Sequence, residues 1–329
     1  MITQDRLQKS ILFVGQLLIR ISCSFFVGTY FFHQQNTPAR HDHHHDDTAD
    51  TTWIPTQREQ TKVDKSLVDQ ELAALVNEIR TNKEHSAPSL SETDAKQKYA
   101  ELCSIYRKSC TNTLWDGSYG RTEKYLYQWL SIALLQQIDS RLSATESLQN
   151  TLSQLKIYED TNERRWSAWH TTVKINSEKI PTSREYREVL THELGHTVDL
   201  GVLKGSSSIK NRVFTEFGKI MWAKDDPSLP FYQLSRISES TRKAEASFKD
   251  FVSGYAMKWV YEDFAETQNL RFNHNLLFQE LAADNPLLAK KYAYFKNLYT
   301  NQRFDDNPDT IAYMNKNKRP WDTTRISSE

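Results

Sequence analysis

Hydrophobic residues recur at helical spacing over much of the chain. Segment 66–80 (SLVDQELAALVNEIR) places its aliphatic residues near one face of a helix, and 123–142 (EKYLYQWLSIALLQQIDSRL) shows the same pattern more strongly. Only nine of the 329 residues are glycine, and repeated short strands with glycine-rich turns are missing. The pattern therefore excludes an all-β fold and predicts a mainly helical chain.

A strand and a further helix are predicted near the middle of the chain. In 164–176 (RRWSAWHTTVKIN), neighbouring residues alternate with the period-2 pattern of a strand that has unlike faces. The next segment, 181–205 (PTSREYREVLTHELGHTVDLGVLKG), has Thr182 and Glu185 at capping-box spacing, aliphatic residues at helical spacing, and Gly205 as a stop. We therefore predict an α+β fold, mainly helical, with a small sheet next to this helix.

The N-terminal segment 1–32 has a different pattern, because residues 11–32 (ILFVGQLLIRISCSFFVGTYFF) are almost wholly apolar. Their length is close to the roughly 20 residues that span a bilayer as a helix, and Arg20 near the centre costs about 2.5–3.5 kcal/mol on insertion scales. A cleaved signal peptide is the alternative, with Arg6 and Lys9 as its positive region. Both interpretations predict that the rest of the chain is exported, since these two cations stay on the cytoplasmic side.

Residues 33–62 are polar and show no apolar periodicity, so we expect a linker rather than a folded segment. Their core, HDHHHDD at 41–47, offers four histidines and three aspartates to a metal ion. Because no fixed geometry is implied, a solvated spacer with weak metal affinity is the simpler interpretation.

Composition limits the partners of the folded part. Lysine plus arginine (42) balances aspartate plus glutamate (42), so the net charge gives no support for nucleic-acid binding. Cys103 and Cys110 lie seven residues apart, a rise of about 10 Å in an unbroken helix, which exceeds the reach of a disulfide. They can pair only if a loop interrupts the helix.

The segment THELGHTVDLG (191–201) carries the clearest chemical signal. On a helix, His192 and His196 at i and i+4 face the same way, and both imidazoles can reach one ion. In zinc hydrolases the metal lowers the pKa of water to roughly 7 and a carboxylate such as that of Glu193 takes the proton. The alternative without function is an ordinary surface helix with two titrating histidines. Two histidines alone make a poor zinc site, so a third ligand is expected downstream.

Segment 254–272 (GYAMKWVYEDFAETQNLRF) offers that ligand. Glu262 and Glu266 stand at i and i+4, where like charges repel each other unless a cation lies between them. This spacing favours Glu262 on the metal and Glu266 behind it, hydrogen-bonded to a ligand histidine. An ordinary acidic helix face is the alternative.

Together, HELGHTVDL and YAMKWVYEDFAE resemble the zincin metallopeptidases of the anthrax lethal factor catalytic-domain type, a group that is similar to the secreted Pro-Pro endopeptidases. In that family a tyrosine precedes the metal-binding glutamate by seven residues, and aromatic-Ala-Glu follows. Tyr255, Glu262 and FAE at 264–266 match this spacing. The resemblance covers about 165–300 and implies one catalytic Zn²⁺ held by His192, His196 and Glu262, with Glu193 as general base and Tyr255 as hydrogen-bond donor to the oxyanion.

Three carboxylates compete for the place of third ligand. The family spacing from Tyr255 favours Glu262 and leaves Glu266 to orient an imidazole. Asp199, which matches an aspartate that follows the second histidine in the family, comes three residues after His196. It is expected about one turn past the ion, where it orients an imidazole rather than binding the metal.

The sequence thus predicts a zinc metalloendopeptidase, a hydrolase of protein or peptide substrates, that is tethered to the membrane through 11–32 or secreted. Its domain is expected at 63–329, with a helical part at 63–160 and the catalytic core at 161–300. The proline-punctuated segment 224–233 (KDDPSLPFYQ) is predicted to be a loop at the cleft. Two alternatives stay open: an exported zinc-binding effector or structural module without proteolytic activity, and a zinc amidase that acts on cell-wall peptide. Substrate preference depends on loops that motifs do not describe.

Fractionation tests the predicted anchor. If 11–32 stays uncleaved, the full-length chain remains in the membrane fraction at its full mass, whereas a chain that begins near residue 63 is soluble. Mass spectrometry of the mature N-terminus distinguishes the two cases, because a start near 24–33 would establish a signal peptide instead.

Overall fold

The computed structural model describes most of the chain after the predicted linker. The N-terminal segment 11–32 and the linker 33–62 lie outside the described residues, so their roles stay predictions. Among the helices that are described, none is long and apolar enough to cross a membrane. The described ranges are 64–81, 91–117, 121–144, 146–160, 163–180, 182–205, 212–218, 220–300, 309–315 and 319–328.

Helices dominate the first part of the described chain. The two helices predicted at 66–80 and 123–142 are confirmed as α1 and α4. Every residue from Tyr127 to Leu135 is buried, which is typical of a helix that lies inside a core with apolar contacts on all sides. The helices of this part are α1 (Lys65–Thr81), α2 (Glu92–Ile105), α3 (Arg107–Asn112), α4 (Arg121–Asp139) and α5 (Leu148–Thr151).

A break between α2 and α3 allows the two cysteines to meet. The helix is interrupted at Tyr106, whose backbone leaves the helical region. As a result the Cα atoms of Cys103 and Cys110 lie 5.6 Å apart and the two residues form a disulfide. The interruption of the helix that the sequence analysis requires for this pairing is therefore present.

A four-stranded mixed sheet lies beside these helices, in the order β1-β2-β4-β3. Strands β1, β2 and β4 run parallel, and β3 is an antiparallel edge strand. The predicted α+β class with a small sheet is confirmed, although two of the strands occur in the part predicted to be helical. The strands are β1 (Thr113–Asp116), β2 (Gln154–Tyr158), β3 (Trp166–Trp169) and β4 (Thr172–Asn176).

The single strand predicted over 164–176 is wrong, because this segment is the β3–β4 hairpin. The chain reverses at His170, which has a positive φ of 45°. Its Nδ1 atom lies 3.1 Å from the carbonyl oxygen of Leu200. A tertiary contact therefore fixes a turn that the alternation of residues does not reveal.

The predicted helix over 181–205 is confirmed as α6 (Ser183–Thr197), which continues into a π-helical turn (Val198–Val202). The hydroxyl of Thr182 caps it by accepting from the amide of Glu185 at 3.1 Å. The Glu185 side chain does not complete the capping box, because it pairs with Arg165. Every residue of α6 is buried, so the helix runs through the centre of the fold.

Helices α6 and α8 (Val260–Asn273) lie against each other. A Cβ atom added to Gly195 would come within 3.0 Å of the Ala265 Cα atom, so the backbones approach closely at this point. The Gln268 side chain of α8 donates to the Thr191 carbonyl of α6 at 2.9 Å and accepts from Tyr299. Through this contact, the helix that carries the two histidines (α6) and the helix that carries the two glutamates (α8) face each other.

Further elements complete the C-terminal half. The loop predicted over 224–233 is wrong in part, because α7 begins at Ser228. The Asp226 carboxylate accepts from the Ser228 amide at 2.9 Å, and Pro227 has a φ near that of a helix start. The elements are β5 (Arg212–Phe214), β6 (Met221–Ala223), α7 (Ser228–Ser235), α8, α9 (Asn275–Ala283), α10 (Pro286–Leu298), α11 (Asp309–Met314) and a terminal 3₁₀ helix (Thr323–Ser328).

Candidate metal centre

The last turns of α6 present His192, Glu193 and His196 on the side that faces α8. The two imidazole rings have centroids 5.0 Å apart. One ligand atom from each of the three residues lies within 4.8 Å of the others, and all three side chains are buried. Within the described part of the chain, this is a group that can hold a metal ion.

Helix α8 brings Glu262 to the same point. Its Oε2 atom lies 3.2 Å from the Nε2 atom of His192 and 3.5 Å from the Nε2 atom of His196. Ligand atoms about 2.0–2.1 Å from a tetrahedral zinc ion are separated by roughly 3.3 Å. The two distances from Glu262 Oε2 are therefore close to the spacing of ligand atoms around one tetrahedral ion, and the structure brings together the three residues that the sequence predicts as ligands.

The electrostatics of this group favour positive charge. Burial alone lowers the pKa of His192, but Glu262 and Glu266 raise it well above its ordinary value. Burial also acts on Glu262, yet the two histidines hold its pKa well below the usual range. The carboxylates that stabilise a protonated imidazole here can stabilise a divalent cation in the same way when it replaces the protons.

Glu193 has a fully buried carboxylate, and neither of its two oxygens has a hydrogen bond to any described residue. Its Oε1 atom lies 4.0 Å from the His192 Nε2 atom, and burial raises the pKa of Glu193 well above its ordinary value. A buried carboxylate with this raised pKa, next to a ligand group, suits a residue that takes up and releases a proton.

Glu266 lies behind His192, on the other side of the ring. Its Oε1 atom is 2.9 Å from the His192 Nδ1 atom. Its Oε2 atom accepts from the Ser253 hydroxyl at 2.5 Å and from the Thr323 amide at 2.8 Å. Glu266 therefore has the place that the sequence predicts for it. Ser253 and Thr323 were missed, and Thr323 lies beyond the predicted catalytic core at 161–300.

Tyr255 lies in the turn before α8, at the open side of the group. Its ring centroid is 6.2 Å from that of His192, and its hydroxyl donates to Glu262 Oε1 at 3.3 Å. Burial, followed by the nearby carboxylates, raises the pKa of Tyr255 above its ordinary value. The phenol therefore keeps its proton at neutral pH and remains a hydrogen-bond donor.

Asp199 is buried and contacts α7. Its Oδ2 atom accepts from the Tyr232 hydroxyl at 2.6 Å, and burial raises the pKa of Asp199 to about 7. No hydrogen bond or ion pair joins it to His196 in the part of the chain that the structure describes. The nearby His196 lowers the pKa of Asp199 against the effect of burial, and the orienting role of Asp199 stays a prediction. The π-helical turn that holds it departs from regular helical geometry and places its carboxylate against α7.

Comparison of the chain with known protein families, with curated proteins and with solved structures finds no match.

The choice of the third ligand can be tested by zinc content. Glu262→Ala should lose most of its bound zinc at neutral pH, because it removes the oxygen that lies between both Nε2 atoms. Glu266→Ala should keep all three ligand atoms and bind zinc about 10–100-fold more weakly. Zinc per chain is measured after dialysis against a weak chelator, with the exposed Glu280→Ala as control. Full zinc occupancy in Glu262→Ala would move the third ligand to another carboxylate.

Proposed function

We propose that this chain is a zinc-dependent metalloendopeptidase with a zincin-like fold, as its resemblance to the lethal factor type implies. One observation carries the proposal. A carboxylate oxygen of Glu262 lies near one nitrogen of each of two buried imidazoles, and the buried carboxylate of Glu193 stands beside them without a hydrogen bond to any described residue.

The roles of the residues follow from their positions. When bound, Zn²⁺ supplies Lewis-acid chemistry that polarises a carbonyl and makes water a nucleophile near neutral pH. Glu193 accepts the proton of the attacking water and passes it to the leaving amine. Glu266 accepts from Nδ1 of His192, which leaves the lone pair of Nε2 free for the metal.

Tyr255 supplies a hydrogen bond where negative charge develops. Its phenol stays protonated and lies beside His192, so it can donate to the carbonyl oxygen of the substrate as that oxygen becomes an oxyanion. In the structure the same hydroxyl donates to Glu262. A substrate carbonyl would have to compete with Glu262 for this hydrogen bond.

The alternatives differ in what they require of the site. A structural zinc module holds its ion with four protein ligands in a closed site. Here three ligands converge, and the fourth neighbour is a base without a hydrogen bond, which favours an open catalytic position. The Cys103–Cys110 disulfide supports an oxidising compartment and hence export. An amidase of cell-wall peptide would use the same groups and differs only in substrate.

The base can be tested without loss of the metal. Glu193→Gln keeps the size of the side chain and the three ligands, so we expect normal zinc content and a fall in turnover of about 10²–10⁴-fold. Turnover is measured on a pool of quenched peptides with the zinc-loaded chain, and a chelator should abolish wild-type activity. The exposed Glu280→Gln serves as control. Normal cleavage by Glu193→Gln would show that this mechanism is wrong.

The phenol can be tested by the loss of one atom. Tyr255→Phe should retain zinc and lose about 10²–10³ in kcat, with a small change in KM, because the hydrogen bond forms mainly in the transition state. Steady-state kinetics on one cleaved peptide measures both constants. A rise in KM alone would assign Tyr255 to substrate binding instead.

A further inference from the structure

The C-terminal segment 319–328 contacts the candidate metal centre, although nothing in its sequence resembles a catalytic motif. Two backbone hydrogen bonds join it to the turn that carries Tyr255. The Gly254 amide donates to the Pro320 carbonyl at 3.1 Å, and the Tyr255 amide donates to the Trp321 carbonyl at 2.7 Å. Gly254 is required at this point, since a Cβ atom there would overlap the Trp321 ring.

The same segment reaches the residue that holds His192. The Thr323 amide donates to Glu266 Oε2 at 2.8 Å, on the carboxylate oxygen that does not face the imidazole. Ser253 donates to that oxygen too. Thus one oxygen of Glu266 is fixed by two donors, and the direction of the other toward His192 Nδ1 depends on both of them.

Thr323 is itself held firmly. It is fully buried, and its hydroxyl accepts from the Asn269 side chain at 3.0 Å. Arg165 donates to the Thr324 hydroxyl at 3.1 Å, and Ile326 is buried in the C-terminal cluster around Phe251. These contacts fix the Thr323 amide independently of Glu266, so the amide can position the carboxylate rather than follow it.

We propose that Thr323 is a positioning residue of the metal centre, whose backbone amide orients Glu266 and, through Glu266, the imidazole of His192. The proposal rests on the zinc centre of the proposed function but not on peptide cleavage. A carboxylate that is free to rotate would hold the imidazole less firmly, and outer contacts of this kind contribute about 10–100-fold to metal affinity.

The test removes the amide hydrogen that Glu266 accepts. The Thr323 hydroxyl, which donates to the backbone carbonyl of Glu266 at 3.5 Å, is lost with it and needs a control variant of its own. Thr323 is the first residue of its 3₁₀ helix, where proline fits the backbone and no helical hydrogen bond is lost. We expect Thr323→Pro in the full chain to bind zinc about tenfold more weakly. Thr323→Val keeps the amide and loses the hydroxyl, so its zinc affinity should stay within about twofold of wild type, even where its Tm falls.

A double-mutant cycle distinguishes positioning from general loss of structure. In a Glu266→Ala background the Thr323 amide has no carboxylate to orient, so Thr323→Pro should weaken zinc binding no further. Affinity is measured by competition with a chelating indicator, with folding checked by circular dichroism. Equal weakening in both backgrounds, or wild-type affinity in Thr323→Pro, overturns the proposal.

A second variant applies if Thr323→Pro does not fold. Ile326→Ala loosens the same segment at its apolar anchor and keeps every polar group. It should weaken zinc binding about threefold in wild type and not in Glu266→Ala, and the reverse pattern contradicts the proposal. A chain that binds zinc without cleaving peptides would refute only the proposed function, whereas a wild-type chain that binds no zinc would refute both proposals.

Discussion

The close contact of α6 with α8 is the constraint on which the site depends. At Gly195 the absence of a side chain lets the two backbones approach closely. A Cβ atom added there would lie only 3.0 Å from the Cα atom of Ala265. His192 lies three residues before Gly195, and Glu262 lies three residues before Ala265. One helical turn therefore separates each functional residue from the point of contact, and the two side chains meet as a direct result. A side chain at 195 would require α6 or α8 to shift by a few tenths of an ångström.

This contact gathers more negative charge than the protein alone can neutralise. Glu193, Glu262 and Glu266 are directed at His192 in a region largely closed to water, and burial of an unpaired charge costs several kcal/mol. Arg165 contributes a partner on the far side, at Glu185, and burial lowers its own pKa to about 10. Protonation of an imidazole or of a carboxylate, or binding of a cation, reduces the remaining negative charge. Metal affinity and the free energy of unfolding are therefore linked through the same few groups.

The sequence predicts what helical geometry alone determines. The i and i+4 spacing of His192 and His196 and that of Glu262 and Glu266 fixes which side chains share a face, whatever the surrounding fold. The structure brings these residues together. Helices with strong apolar periodicity were predicted for the same reason, since burial of one face accounts for their pattern.

What the sequence does not reveal depends on contacts between distant segments. The hairpin turn at His170 is stabilised by the carbonyl oxygen of Leu200, thirty residues away. The local alternation of residues therefore predicts one continuous strand. Asp199 lies in a π-helical turn and accepts from Tyr232 of α7, a contact that its spacing from His196 does not indicate. Thr323 contributes a backbone amide, which every residue except proline has, and no pattern of side chains can identify it.

The site is consequently assembled from parts that are far apart in the chain. Thr323 is 57 residues from Glu266, and Glu266 is in turn separated from His192 by the whole of the β5–β6 hairpin and α7. Closing such loops costs chain entropy before any contact offsets it. The bond from the Thr323 amide to Glu266 requires the C-terminal segment to be packed beside Phe251, whereas the bond from Ser253 does not. A metal ion that needs an oriented imidazole would therefore bind most tightly to the completely folded chain, and its binding would stabilise the contacts of the C-terminal segment in return.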